Sequence, residues 1–143
     1  MTQYEMDARR HEINYELQCR QHEAMKQYVE EKNKIERDGD GVKADYQAAR
    51  ELLEKSLDNL LKERIELKRR GLECFAPEME DNYARERAIH HEQRDLKDGY
   101  HANLDRLARL SFAKRMAYEE LCMLNKKWYA EQMKALVTEA AAA

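Results

Sequence analysis

Apolar side chains between residues 3 and 37 recur at Met6, Ile13, Leu17, Ala24, Tyr28 and Ile35, in alternating steps of seven and four. Such steps average about 3.6 residues per turn, the period of a helix with one apolar face. The series also reads as two interleaved eleven-residue repeats, Met6–Leu17–Tyr28 and Ile13–Ala24–Ile35. An eleven-residue period favours a nearly straight or slightly right-handed helix over a left-handed heptad supercoil. The stripe is thin, because Arg10, Arg20 and Glu31 occupy positions where further apolar contacts are expected. A first helix over 3–37 is therefore expected to lean on a partner.

Arg37-Asp38-Gly39-Asp40-Gly41 reads as a break, since glycine tolerates positive φ and aspartate favours turns. The pattern predicts a turn at 38–41, with Asp40 as N-cap of a second helix over 42–70. That segment places Tyr46, Leu53, Leu60 and Leu67 in heptad register, and Leu52, Leu57, Leu61 and Ile65 widen the face. Its end is marked by Lys68, Arg69 and Arg70 in the last turn, Gly71 at C′, and Leu72 at C″ in reach of Leu67. Residues 71–76 form a connector, in which Phe75 is expected to plug the end of the packed helices.

Pro77 suits the first turn of a third helix, with Glu78, Glu80 and Asp81 complementing its positive end. Ile89, Leu96, Tyr100, Leu104, Leu107, Tyr118, Leu121 and Trp128 then carry a stripe over 77–138. Asp98-Gly99 interrupts this stripe, and one glycine costs a helix interior about 1 kcal/mol, so continuity is expected, with 98–99 as the place where the helix can bend. A helix from Pro77 to Leu136 would run roughly 90 Å at 1.5 Å per residue. The fold class is thus all-α: one elongated unit over 1–143, a helical hairpin or three long helices with coiled-coil packing.

Composition sharpens this picture. Of 143 residues, 38% are charged, and glycine (four) and proline (one) leave little room for loops. Leu, Ile, Val and Phe make up about 17% of the chain, less than a compact core comfortably needs. The net charge of −3 argues against charge-driven disorder. Burying narrow stripes, some against another chain, reconciles the two. Near-balanced charge gives no long-range pull towards nucleic acid or anionic lipid, and no apolar run approaches the ~20 residues of a membrane span. Glu5, Asp7 and Glu12 speak against a transit peptide. Cys19, Cys74 and Cys122, without CxxC spacing, read as reduced thiols.

No motif survives as a catalytic or metal site. Setting Gly41 at position 6 of a calcium loop leaves Glu36, Asp38 and Asp40 as ligands, but position 12 is Gln47 instead of a bidentate glutamate. His91-Glu92 begins like a zinc-protease helix, yet the second histidine is replaced by Asp95. None of the histidines has a glutamate three residues before it, as di-iron helices require. Glu73 beside Cys74 disfavours a reactive thiolate. Lys68-Arg69-Arg70 is explained by the helix end, and Lys126-Lys127-Trp128-Tyr129 by an apolar position flanked by solvated lysines.

The expectation is a non-enzymatic, cofactor-free structural or scaffolding subunit of a large protein assembly. In general composition the chain is similar to small coiled-coil accessory proteins of the cytoskeleton, including those of ciliary and flagellar axonemes. That similarity implies a cytoplasmic, cytoskeletal setting, cilium or flagellum included. It also implies helical or coiled-coil subunits as partners. The basic clusters at 68–70 and 126–129 leave an acidic protein surface, such as tubulin, as a further partner, while charge and hydropathy point to neither nucleic acid nor a membrane span. The alternatives are a helical adaptor or chaperone-like binding module, or an accessory subunit of a mitochondrial complex. The candidate partner-interface residues are Leu53, Leu57, Leu60, Leu104, Leu107, Leu121 and Trp128, which serve equally as intramolecular core.

Overall fold

A computed structural model describes residues 1–142 as two long helices packed against each other, α1 (Gln3–Arg69) and α2 (Pro77–Ala142). Both starts and the intervening end follow from local chemistry. Thr2 and Glu5 form a capping box at the head of α1: the Glu5 amide donates to Thr2 Oγ1, and the Thr2 amide donates to the Glu5 carboxylate, each at 3.1 Å. At the tail, Gly71 adopts φ 81°. The Leu72 amide reaches back to the Leu67 carbonyl at 3.1 Å, and the Gly71 amide to the Lys68 carbonyl at 3.0 Å. This is the Schellman arrangement that the residues around Gly71 predict. Pro77 opens α2, where its missing N–H leaves no bond unmade.

Three expectations are corrected. The turn at 38–41 does not form: Asp38, Gly39, Asp40 and Gly41 lie inside α1, Asp40 caps nothing, and the predicted three helices are two. Two glycines tax a helix interior by about 1 kcal/mol each, and tertiary packing outweighs that. Gly39 is half-buried, and a Cβ built there would lie 3.9 Å from Leu107 Cδ1. Phe75 is not a plug; it stands 84% exposed, and the place of a plug goes to Met79, which is fully buried. α2 is, by contrast, continuous through Gly99, as expected.

The chain divides into two compact units. One is residues 37–107, a helical hairpin closed by the connector 70–76. Its side chains withdrawn from solvent include Gly39, Tyr46, Leu53, Leu60 and Leu67 on α1, and Met79, Glu86, Gln93, Tyr100 and Leu107 on α2. Both series step by seven. The other unit combines residues 1–36 with 108–143. There Ile13, Ala24 and Ile35 on α1 step by eleven, whereas on α2 Tyr118, Cys122, Asn125, Tyr129, Gln132 and Leu136 alternate steps of four and three. All six stripe positions from Met6 to Ile35 are sheltered, as their spacing predicts. On α2 the expected stripe drifts: Cys122, Asn125, Tyr129 and Leu136 are covered, whereas Leu121 lies to one side.

Candidate interaction surfaces

The hairpin unit is pinned near its closed end by a polar cluster. Asn82, fully buried, donates from Nδ2 to the Leu60 carbonyl at 2.9 Å and accepts from Arg64 Nε at 2.9 Å. Arg64 also donates to the Glu86 carboxylate, and its guanidinium lies 4.2 Å from the Tyr83 ring centroid. One arginine thus joins both helices through a hydrogen bond, an ion pair and a cation–π contact. The hydrogen bond from Arg64 holds the Glu86 carboxyl below its usual pKa, against partial burial. Nearby, Arg85 forks onto both Glu63 oxygens at 2.8 and 2.9 Å and also binds Asp81 at 2.9 Å. The hydrogen bond to Glu63 leads in raising the Arg85 pKa. Tyr46 and Tyr100 stack with centroids 4.1 Å apart.

Two open furrows run beside this seam. One, of about 470 Å³, is lined by Leu53, Ser56, Leu60, Ala88 and Ile89 among others; the second, of about 420 Å³, includes Val42, Ala49, Leu96 and Gly99. Small residues at flanking positions, Ser56 and Ala88 in one and Ala49 and Gly99 in the other, leave these hollows. Polar side chains border both, Asn59, Glu63, Arg85 and Glu92 in the first and Asp45, Asp95 and Asn103 in the second, but both are open to solvent and not enclosed.

In the second unit the helices are joined by aromatic and charged contacts. Tyr28 stacks on Tyr118 at 4.6 Å, the Arg20 guanidinium sits 4.0 Å from the Trp128 ring centroid, and Lys114 pairs with Glu31 at 3.6 Å. The Tyr118 hydroxyl reaches Met25 Sδ at 3.7 Å. The neighbouring Cys122 thiol first, then burial, raises the Tyr118 pKa. Asn125 is only 5% exposed, and since no fully buried side-chain nitrogen or oxygen among the described residues lacks a hydrogen-bond partner, its amide still touches solvent.

The candidate interface residues divide accordingly. Leu53, Leu57, Leu60, Leu104 and Leu107 are sheltered in the hairpin unit, with Leu60 and Leu107 buried. Trp128 is half-buried beneath Arg20, and Leu121 is 38% exposed. Leu121 shares its flank of α2 with Leu110 and Leu124, at 37% and 54% exposure. Sequence reasoning missed the Arg64–Asn82–Glu86 cluster, whose signal is polar residues standing at helix-stripe positions. It also missed a second apolar face on α2: Phe112, Met116, Met123 and Val137, turned away from the seam and 47–71% exposed.

No group of three or more His, Cys, Asp or Glu side chains gathers in metal-binding geometry among the described residues. His90 instead meets Gln93 at 3.0 Å and Glu86 at 3.5 Å, and His91 meets Asp95 at 3.5 Å. Neither helix is long and apolar enough in any described window to cross a membrane. No protein-family model, curated protein or solved structure matches the chain.

Proposed function

We propose that the chain is a structural subunit of a larger protein assembly, which it joins through helix faces and not through a catalytic or ligand site. The observation that carries this reading is the uneven exposure of its apolar side chains. Sixteen large hydrophobic residues are exposed, and twelve of them belong to the unit built from 1–36 and 108–143. Exposed apolar side chains mark an interaction surface where they gather on one helix face, not where they are scattered singly. The flank formed by Leu110, Leu121 and Leu124 offers a helical partner two anchors three residues apart, with a third three turns earlier on the same side of the helix. A cytoskeletal setting, on a microtubule or in a ciliary or flagellar axoneme, is the specific form of the proposal, and it rests on composition.

Crosslinking mass spectrometry in a native extract tests the assembly reading. Wild-type chain is expected to capture defined helical proteins. The double variant Leu121→Asp, Leu124→Asp, with unchanged far-UV circular dichroism, is expected to lose them. Retained partners would refute the flank as the contact. Co-sedimentation with microtubules tests the setting separately, and a chain that stays in the supernatant with and without its captured partners would remove the microtubule from the proposal.

A further inference from the structure

The second apolar face of α2 is turned away from α1, so the helix pair itself leaves it uncovered. Phe112 (65% exposed), Met116 (47%), Met123 (71%) and Val137 (59%), with exposed Ala130, lie along it. From Met116 the steps are seven, a continuous stripe on one side of the helix. The charges bordering it are arranged with a particular symmetry. Glu119 and Glu120 precede Met123 by four and three residues; Lys126 and Lys127 follow it by three and four. Reversing the chain direction about Met123 therefore exchanges an acidic pair for a basic pair.

We propose that this face binds a second copy of the chain, antiparallel, with the two-fold axis passing by Met123. A two-fold contact must be self-complementary, and this one is. Met123 meets Met123 of the second copy, and Met116 meets its Ala130. On one border Glu119 faces Lys126 of the other copy, and on the opposite border Glu120 faces its Lys127. The symmetry doubles these to four opposite-charge pairs. The Phe112 ring falls level with the Lys134 stem of the second copy, which suits a cation–π contact. A parallel pairing would instead set Glu119 and Lys126 each against its own copy, like against like. Lys126, Lys127 and Glu120 have no ion-pair partner among the described residues, and Glu119 has only the exposed Arg115 at 3.2 Å, so little is given up on association. The face is narrow, which places the contact among weak dimers, with a dissociation constant on the order of 10–100 μM. This inference is independent of the flank that the assembly reading uses.

Analytical ultracentrifugation of the purified full chain over about 5–300 μM tests it. The mass is expected to rise from 17.1 kDa towards twice that value. Lys126→Glu with Lys127→Glu is expected to weaken the dimer more than about tenfold. Adding Glu119→Lys and Glu120→Lys to that variant restores the complementarity and should restore the dimer. With Cys19, Cys74 and Cys122 replaced by serine, Met123→Cys should crosslink to its own copy on mild oxidation, and Phe112→Cys should not. A chain that stays monomeric throughout, a dimer indifferent to the lysine reversal, or equal crosslinking from both cysteine variants would each overturn the proposal. Unchanged circular dichroism for each variant excludes misfolding as the cause.

Discussion

The two units solve the same problem, two helices lying side by side, with different materials. In the hairpin unit the sheltered side chains repeat every seven residues, and they include the leucines at 53, 60 and 67 and a satisfied polar cluster at Arg64 and Asn82. In the other unit those of α1 repeat every eleven, α2 returns to alternating steps of four and three from Tyr118 to Leu136, its covered positions are mostly polar or aromatic, and Asn125 sits where a leucine would be expected. A seven-residue repeat asks a helix to wind to the left around its partner; an eleven-residue repeat asks for a straight or right-handed course. The connectivity differs as well. Arg64 and Asn82 are separated by 18 residues, Met25 and Tyr118 by 93. Contacts close in sequence cost little loop entropy, so the hairpin unit is expected to form its seam before the unit whose contacts are far apart in sequence, an order that pulse-labelling hydrogen exchange during refolding checks. All four glycines, residues that each cost a helix interior about 1 kcal/mol, lie in the hairpin unit.

The sharpest way to break this contrast is to hollow out the hairpin end. Met79→Ala removes a fully buried side chain and should cost about 2–4 kcal/mol of stability in urea titration followed by circular dichroism. Hydrogen exchange should place the loss at residues 60–67 and 79–86. Next comes the pair of buried asparagines. Asn82→Leu leaves the half-buried Arg64 Nε without its acceptor and takes the second donor from the Leu60 carbonyl, and should destabilise by about 1–3 kcal/mol. Asn125→Leu buries an apolar group in place of an amide that still touches solvent, and should be neutral or stabilising by up to about 1 kcal/mol. Equal losses from both would erase the distinction between the units.

Smaller effects sharpen it. Gly41→Ala meets no atom within 4 Å and should stabilise α1 by about 0.5–1 kcal/mol, whereas Gly71→Ala, forced to keep φ near 81°, should lose about 1 kcal/mol. The smallest concerns acid. Because Arg64 lowers the Glu86 pKa in the folded state, the contribution is whole above the ordinary glutamate value and fades as pH falls through the lower folded value. Urea midpoints of wild type and Glu86→Gln should therefore differ near neutrality and converge in acid.

Much of the seam can be read from apolar residues alone. Met6 to Ile35, and Tyr46 to Leu67, contrast with charged neighbours strongly enough to show both phase and period. The ending at Gly71 is legible because one residue type satisfies a specific backbone need. The continuity through Gly39 is not: local preference favours a turn, and the packing beside Leu107, distant in sequence, reverses it. The Arg64–Asn82–Glu86 cluster is invisible to a pattern that scores polar residues as exposed. Phe75 misleads in the opposite sense, since hydrophobicity alone places it inside, whereas its position in the connector leaves it outside. The face at Phe112, Met116 and Met123 is written at regular spacing, but two apolar stripes on one helix look like a single broad one until the partner's position is known.

Trp128 is the only tryptophan in the chain and lies in the unit without the hairpin connector, its ring under Arg20. The molecule therefore carries an intrinsic optical reporter that observes one unit alone. Emission excited at the red edge, beyond tyrosine absorption, follows the separation of residues 1–36 from 108–143, while total helicity sums over everything. If the two units melt together, both signals trace one curve. If the seam of that unit opens first, fluorescence moves while most of the ellipticity remains, and a single indole distinguishes cooperative unfolding from fraying.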